Sequence, residues 1–244
     1  MNIANDLKIY SNKKLSDIVN VNVRAISVFD KYNFDYCCNG NRSIREVCKE
    51  KNLDFRILID ELKEISDEFQ VDKFSEWRLD FLIDYILNNH HQYIHKMIPV
   101  ISDLSQKISD EYGEKFSELK SIARIFSVVY KDLKQHMLKE EQILFPYIKQ
   151  LVSLNNTGNK SEKPYFGIID NPIRMMESDH KNALDEYDNL KKLTNNFTSP
   201  EDSNKPLKNF FDELRDFGQD LHIHIHLENN ILFPKSIALE KEML

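Results

Sequence analysis

Glycine and proline are scarce in this 244-residue chain, numbering 5 and 7, and that scarcity excludes several architectures at once. Turn-rich sandwiches and barrels need more of both. With 41% hydrophobic and 30% charged residues, the balance points to long helices around a proper core. Cysteine is sparse too. Cys37, Cys38 and Cys48 are odd in number and two are adjacent, so they make no disulfide framework and are read as thiols. Basic charge is not in excess. The formal net charge is −7, and without a basic stripe to release phosphate counterions, nucleic acid is excluded as a partner. Long apolar runs are missing as well: none approaches the ~20 residues of a membrane span. The opening MNIANDLKIYSNKK lacks the apolar stretch of a secretory signal. The expectation is a soluble, cytoplasmic protein that enters no membrane.

The length suits one or two domains, and the pattern gives two. Residues 1–66 read as a small helical domain. Within it Val23, Ile26, Val28 and Phe29 form an apolar face ending near Tyr32-Asn33, and a turn follows at Asn39-Gly40. Ser43-Ile44-Arg45-Glu46 has the form of a capping box. Residues 67–76 are polar and weakly patterned, and are read as a linker. From Trp77 to Leu244 the apolar residues fall into four helix-period segments, roughly 77–108, 116–151, 171–195 and 206–232. Breaker-rich stretches run from Asn155 to Pro164 and from Thr198 to Pro206. Four such helices in series most simply make an up-down bundle. The fold class is therefore all-α: a four-helix bundle preceded by a small helical domain.

One repeat carries the chemistry. His136 to Pro146 and His224 to Pro234 both read H-x3-E-x2-I-L-F-P. A spacing of four residues puts His136 above Glu140, and His224 above Glu228, on one helix face. Both pairs sit on the apolar seam. In the second segment Ile122, Phe126, Val129, Leu133, His136, Glu140 and Ile143 step alternately by four and three. In the fourth, Phe210, Leu214, Phe217, Leu221, His224, Glu228 and Ile231 do the same. A carboxylate in a core needs a strong partner, and a cation supplies one.

The other two segments each place a histidine on their seam. His180 lies among Ile173, Met176, Ala183, Tyr187 and Leu190; His91 lies among Ile83, Leu87, Ile94, Ile98 and Ile101. His91, His136, His180 and His224 fall 45, 44 and 44 residues apart, as antiparallel helices marked near mid-height would give. His95, one turn from His91, competes with it for the first-helix position. His222 and His226 lie off the seam and are expected to face solvent; His90 is a further bystander. Imidazole and carboxylate without thiolate fit iron, manganese or zinc. Two bridging glutamates and two histidines per ion leave open positions suited to a neutral diatomic gas.

The repeated H-x3-E-x2-I-L-F-P elements resemble those of the haemerythrin-like fold. With Phe34-Asp35-Tyr36-Cys37-Cys38-Asn39-Gly40 ahead of them, and Met176-Glu-Ser-Asp-His180 between them, the chain resembles the repair-of-iron-centres family of the YtfE/ScdA type over essentially its whole length. That resemblance implies a haemerythrin-like bundle with two iron ions in an oxo- or hydroxo-bridged centre, ligated by His91, His136, Glu140, His180, His224 and Glu228. It implies repair of iron–sulfur proteins damaged by nitric oxide or peroxide, NO or O2 as small-molecule ligand and, by analogy alone, a homodimer. Oxygen-carrying haemerythrins differ in using five histidines and in having no cysteine domain. Adjacent thiols beside a glycine turn have little apolar cover, so Cys37 and Cys38 are expected to be exposed enough to exchange disulfides or bind iron. Cys48, in a helix beside Val47, is expected to be structural. Reduction of nitric oxide to nitrous oxide, and gas sensing or storage, are the competing readings.

Overall fold

The computed structural model describes residue 10 and residues 12–65, 74–201 and 203–244. Most of the expected linker, 67–73, lies outside these; Phe74–Glu76 forms a short 3-10 turn. Among the described residues every regular element is helical, with a single isolated bridge between Lys14 and Ser43. Two compact units result. One comprises Met1–Arg78 with Ile225–Lys235, the other Leu79–His224 with Ser236–Leu244.

Among its described residues the first unit has four short helices: α1 (Leu15–Val21), α2 (Ala25–Lys31), α3 (Ile44–Glu50) and α4 (Phe55–Glu64). None is long enough to persist by itself, so each depends on packing. Leu15, Phe29, Ile44, Leu58 and Ile59 supply that packing, all at 1% exposure or less. The Phe29 ring stacks on Phe34 at 5.7 Å. Two asparagines stop helices. Asn33 (φ 53°) follows α2 and Asn52 (φ 52°) follows α3, in the left-handed conformation that asparagine tolerates better than most residues. The expected capping box at Ser43 and Glu46 is present, with both reciprocal bonds formed.

The remaining chain forms four long helices. The first comprises α5 (Leu79–Ile86), a π-turn at Leu87–His91 and α6 (Gln92–Tyr112). The second comprises α7 (Glu118–Lys139), a π-turn at Glu140–Leu144 and α8 (Phe145–Thr157). Gly158 ends it in the left-handed region at φ 70°. The third is α9 (Asp170–Leu193). The fourth comprises α10 (Lys205–Leu227), a π-turn at Glu228–Leu232 and α11 (Phe233–Met243). It continues past the expected end near 232, because Pro234 sits in the first turn after a π-turn.

The seam residues are buried where the period places them. Phe126 meets Phe217 edge to face at 5.5 Å, and each such buried aromatic stabilises the fold by roughly 1.5–3 kcal/mol. Gly218 has a different role. A Cβ built there would lie 1.7 Å from Cζ of Tyr187, so the tyrosine ring fills the notch that this glycine leaves in α10. Three seam residues depart from expectation: Leu87 and Ala183 are only half-buried, and Ile143 is exposed. Ile143 is 37% exposed and Leu144 only 1%, because the π-turn inserts one extra residue and shifts the seam by one.

Candidate metal centre

The π-turns place the site. In the second and fourth helices Glu140 and Glu228 each open one, and His91 closes that of the first. A widened turn is a rare helix conformation found frequently at functional positions. In two of the three, the I-L-F-P sequence explains its form. Proline has no N–H and its ring clashes with the carbonyl four residues back, and a turn closed from Phe145 N–H to the Glu140 carbonyl relieves the helix just ahead of Pro146. The turn before Pro234 closes likewise, from Phe233 N–H to the Glu228 carbonyl.

The six seam residues come together. His91 and His136 are 1% exposed; Glu140, His180, His224 and Glu228 are fully buried. Nε2 of His136 lies 2.9 Å from Nε2 of His180, and Nε2 of His91 lies 3.2 Å from that of His224. Oε2 of Glu140 stands 3.3 Å from His136 Nε2 and 3.5 Å from His91 Nε2. Two groups of donors, each within 4.8 Å, are able to hold a cation: His91, Glu140, His224 and Glu228, and His136, Glu140, His180 and Glu228. The carboxylates belong to both groups and the histidine pairs to one each. Buried carboxylates are costly without a balancing charge, and a cation held by either group would supply it.

The outer faces of two rings are held by carboxylates that sequence reasoning missed. His91 Nδ1 meets Oε1 of Glu141 at 2.9 Å, and His136 Nδ1 meets Oδ2 of Asp179 at 3.4 Å. A hydrogen bond from Nδ1–H to a carboxylate fixes the tautomer that turns the Nε2 lone pair inward. The His136 contact holds the Asp179 carboxyl below its ordinary range, with Lys139 adding to the effect and burial opposing it. Both carboxylates adjoin a site residue in sequence, which is a signal visible only once the site residues are known. A cleft of about 440 Å³ borders this side of the bundle, lined by Leu133, His136, Lys139, Asp179, Asn182 and Glu186 among others.

The remaining histidines sort themselves by geometry. The His95 side chain is 47% exposed and outside both groups, which leaves the first-helix position to His91. His90 is buried and bonds Asp220 through Nδ1 at 2.9 Å. His222 is half-buried, its Nδ1 on the Gly218 carbonyl at 2.7 Å. His226 contradicts the expectation of exposure: it is 1% exposed. The Tyr36 ring lies 5.9 Å away and Asn20 Oδ1 is 3.0 Å from its Nε2, so apolar cover from the small helical unit replaces solvent. Burial pushes its pKa down to about 4.

Neither Cys37 nor Cys38 is in a disulfide among the described residues, but the two differ in environment. Cys37 is buried at 2% exposure, against the expectation of an open thiol, whereas Cys38 is half-buried. The turn is tight because Gly40 allows it: a Cβ there would meet the Tyr36 carbonyl at 2.3 Å. Asp35 Oδ1 accepts from the Cys38 amide at 2.9 Å, Asn230 Nδ2 donates to the Cys37 carbonyl at 2.9 Å, and Asn229 Nδ2 reaches Cys38 Sγ at 3.7 Å. Burial, then Asp35 and Cys38, push the Cys37 thiol well above its usual range; burial and Asp54 push Cys48 up to about 11. Raised values mean little thiolate near neutrality. Iodoacetamide at pH 8 will therefore alkylate Cys38 first, with Cys48 gaining rate only as pH climbs toward 11. Peptide mass spectrometry reads this directly, and equal rates at all three cysteines would contradict the assigned burial.

Four imidazoles and two buried carboxylates at one level of a helical bundle define a cation-binding bundle protein. The family model described as Hemerythrin HHE cation binding domain matches residues 82–236, and ScdA_N, a domain of unknown function, matches residues 11–66. The iron-sulfur cluster repair protein YtfE of Shigella boydii serotype 4 is 31% identical over 95% of this chain and 99% of its own length. The protein of the same name from Escherichia coli K12 shows the same figures, and that from Citrobacter koseri is 32% identical over 89% of this chain and 93% of its own. The chain belongs to the hemerythrin HHE family, within the group of YtfE iron-sulfur cluster repair proteins. Among the described residues no helix is long and apolar enough to cross a membrane.

Proposed function

We propose that the protein repairs iron–sulfur clusters damaged by nitrosative or oxidative stress in the cytoplasm, by supplying iron from a di-iron centre. The ligands in this reading are His91, His136, Glu140, His180, His224 and Glu228. The observation that carries it is the sharing of Glu140 and Glu228 between two four-donor groups, a pattern that suits two cations bridged by both carboxylates. The donor set fits iron, with imidazole and carboxylate and no thiolate, and the YtfE relatives are named for cluster repair. When bound, the iron pair supplies redox chemistry and ligand positions that NO or O2 can take. The chain's own residues hold the ions in a dry core and, through Glu141 and Asp179, fix the rings that face them.

In the same reading, residues 1–66 form the cysteine domain, 67–76 the linker and 77–244 the bundle. Cys37 and Cys38 assist transfer of iron to the damaged client protein, Cys38 being the accessible thiol. The test mixes the reduced, iron-loaded protein anaerobically with an enzyme whose cluster has been destroyed by nitric oxide. Activity is expected to return, and Cys37→Ser with Cys38→Ser to slow its return severalfold while bound iron stays unchanged. Equal restoration by the metal-free protein would eliminate iron donation.

A further inference from the structure

Outside the six inward donors, a chain of polar side chains links His91 to the surface. Oε1 of Glu141 lies 2.9 Å from His91 Nδ1 and 2.9 Å from His95 Nε2, so a single carboxylate oxygen accepts from both rings. Exposure rises along it: the His91 side chain is 1% exposed, Glu141 30% and His95 47%. The two histidines lie one turn apart on the first bundle helix, at its π-turn and just beyond, so their rings approach Glu141 from one side. The widened turn of the second helix lets adjacent residues serve the same centre, with Glu140 inside and Glu141 behind the His91 ring. The internal repeat marks Glu141 as a specialisation. Its counterpart after Glu228 is Asn229, which reaches Cys38 Sγ.

We propose that Glu141 is a positioning residue for His91, pinned in place by His95, and that it sets the affinity of the cation position His91 shares with His224. This rests on the assignment of the six metal ligands. A carboxylate on Nδ1 fixes the His91 tautomer, aims the ring and raises its basicity; loss of such an outer partner typically weakens metal binding about 10–100-fold. His95 acts through Glu141, with its ring also edge-on to that of His91 at 6.5 Å. It is oriented by the carboxylate it holds and is absent from both donor groups.

The test is anaerobic titration of the metal-free full chain with ferrous ion, for wild type, Glu141→Gln, His95→Gln and the double variant. Glutamine keeps the volume and removes the charge. One of two positions should weaken about 10–100-fold in Glu141→Gln, with the other unchanged, and the visible absorption of the cobalt-loaded protein should shift. His95→Gln should show a smaller loss, and the double variant should bind no more weakly than Glu141→Gln. Thermal melting of the metal-free variants should match wild type, separating positioning from folding. Wild-type affinity at both positions in Glu141→Gln, or additive losses in the double variant, would overturn the proposal. Failure of the wild type itself to bind two ions would instead overturn the ligand assignment, and this inference with it.

Discussion

Replacing Glu140 by alanine will remove metal from both cation positions, not one. Its carboxylate belongs to both donor groups, lies within 3.5 Å of two imidazole nitrogens and is fully buried. The affinity loss should exceed the roughly 10–100-fold that follows removal of an outer partner, because a donor shared by both positions is lost outright. Metal per chain, measured after gel filtration, should fall from two to a small fraction. A second readout follows from linkage: a ligand that binds only the folded state raises its stability. The wild type should melt higher loaded than after chelation, and the variant should show almost no difference. A Glu140→Ala protein that retains two tightly bound ions would refute the bridging role.

Gly218→Ala should unfold the bundle more easily, although helix propensity argues the opposite. In an exposed helix interior the change would stabilise by about 1 kcal/mol. Here the new methyl would overlap the Tyr187 ring, at 1.7 Å from Cζ, 1.9 Å from Cε2 and 2.1 Å from the hydroxyl oxygen. That ring has little freedom to retreat. It stacks on Phe197 at 5.2 Å, meets His222 edge-on at 5.3 Å and reaches the Arg215 carbonyl at 3.4 Å. Overpacking of this kind costs about 1–3 kcal/mol, and with a ring this confined the upper end applies, leaving a net loss of about 2 kcal/mol after the propensity gain of about 1 kcal/mol. For a chain of this size that corresponds to a fall of roughly 4–8 °C in Tm. Denaturant or thermal unfolding decides it, and a variant as stable as wild type would show that the ring relocates freely.

The sequence revealed the site more fully than it revealed the backbone that carries it. His136, Glu140, His180, His224 and Glu228 are legible because imidazoles and carboxylates on a buried seam interrupt an apolar period with residues foreign to a core. His91 was harder, since His95 lies one turn away on the same helix; only the exposure of His95 and its absence from the donor groups separate them. The π-turns were not read at all. Two had a signal, the proline three residues after isoleucine in both I-L-F-P elements. The first helix offers none, as Leu87–His91 is followed by no proline until Pro99. His226 was misjudged because helical period describes one face against one core. It does not show that the Tyr36 ring lies over His226, 5.9 Å away within the same unit.

The widened turns also limit how this centre can be moved. Each adds a residue, and one residue is about 100° of rotation in a regular α-helix. Grafting His136 and Glu140 onto an ideal straight helix would keep their spacing and yet turn Leu144, Ile148 and Leu151 away from the interior they now occupy. The ligands and the half of the bundle beyond them therefore form one inseparable module. A single-residue deletion at Glu141 or Gln142 would restore regular helix and keep Leu144, Ile148 and Leu151 in phase, while removing the widened turn that follows Glu140.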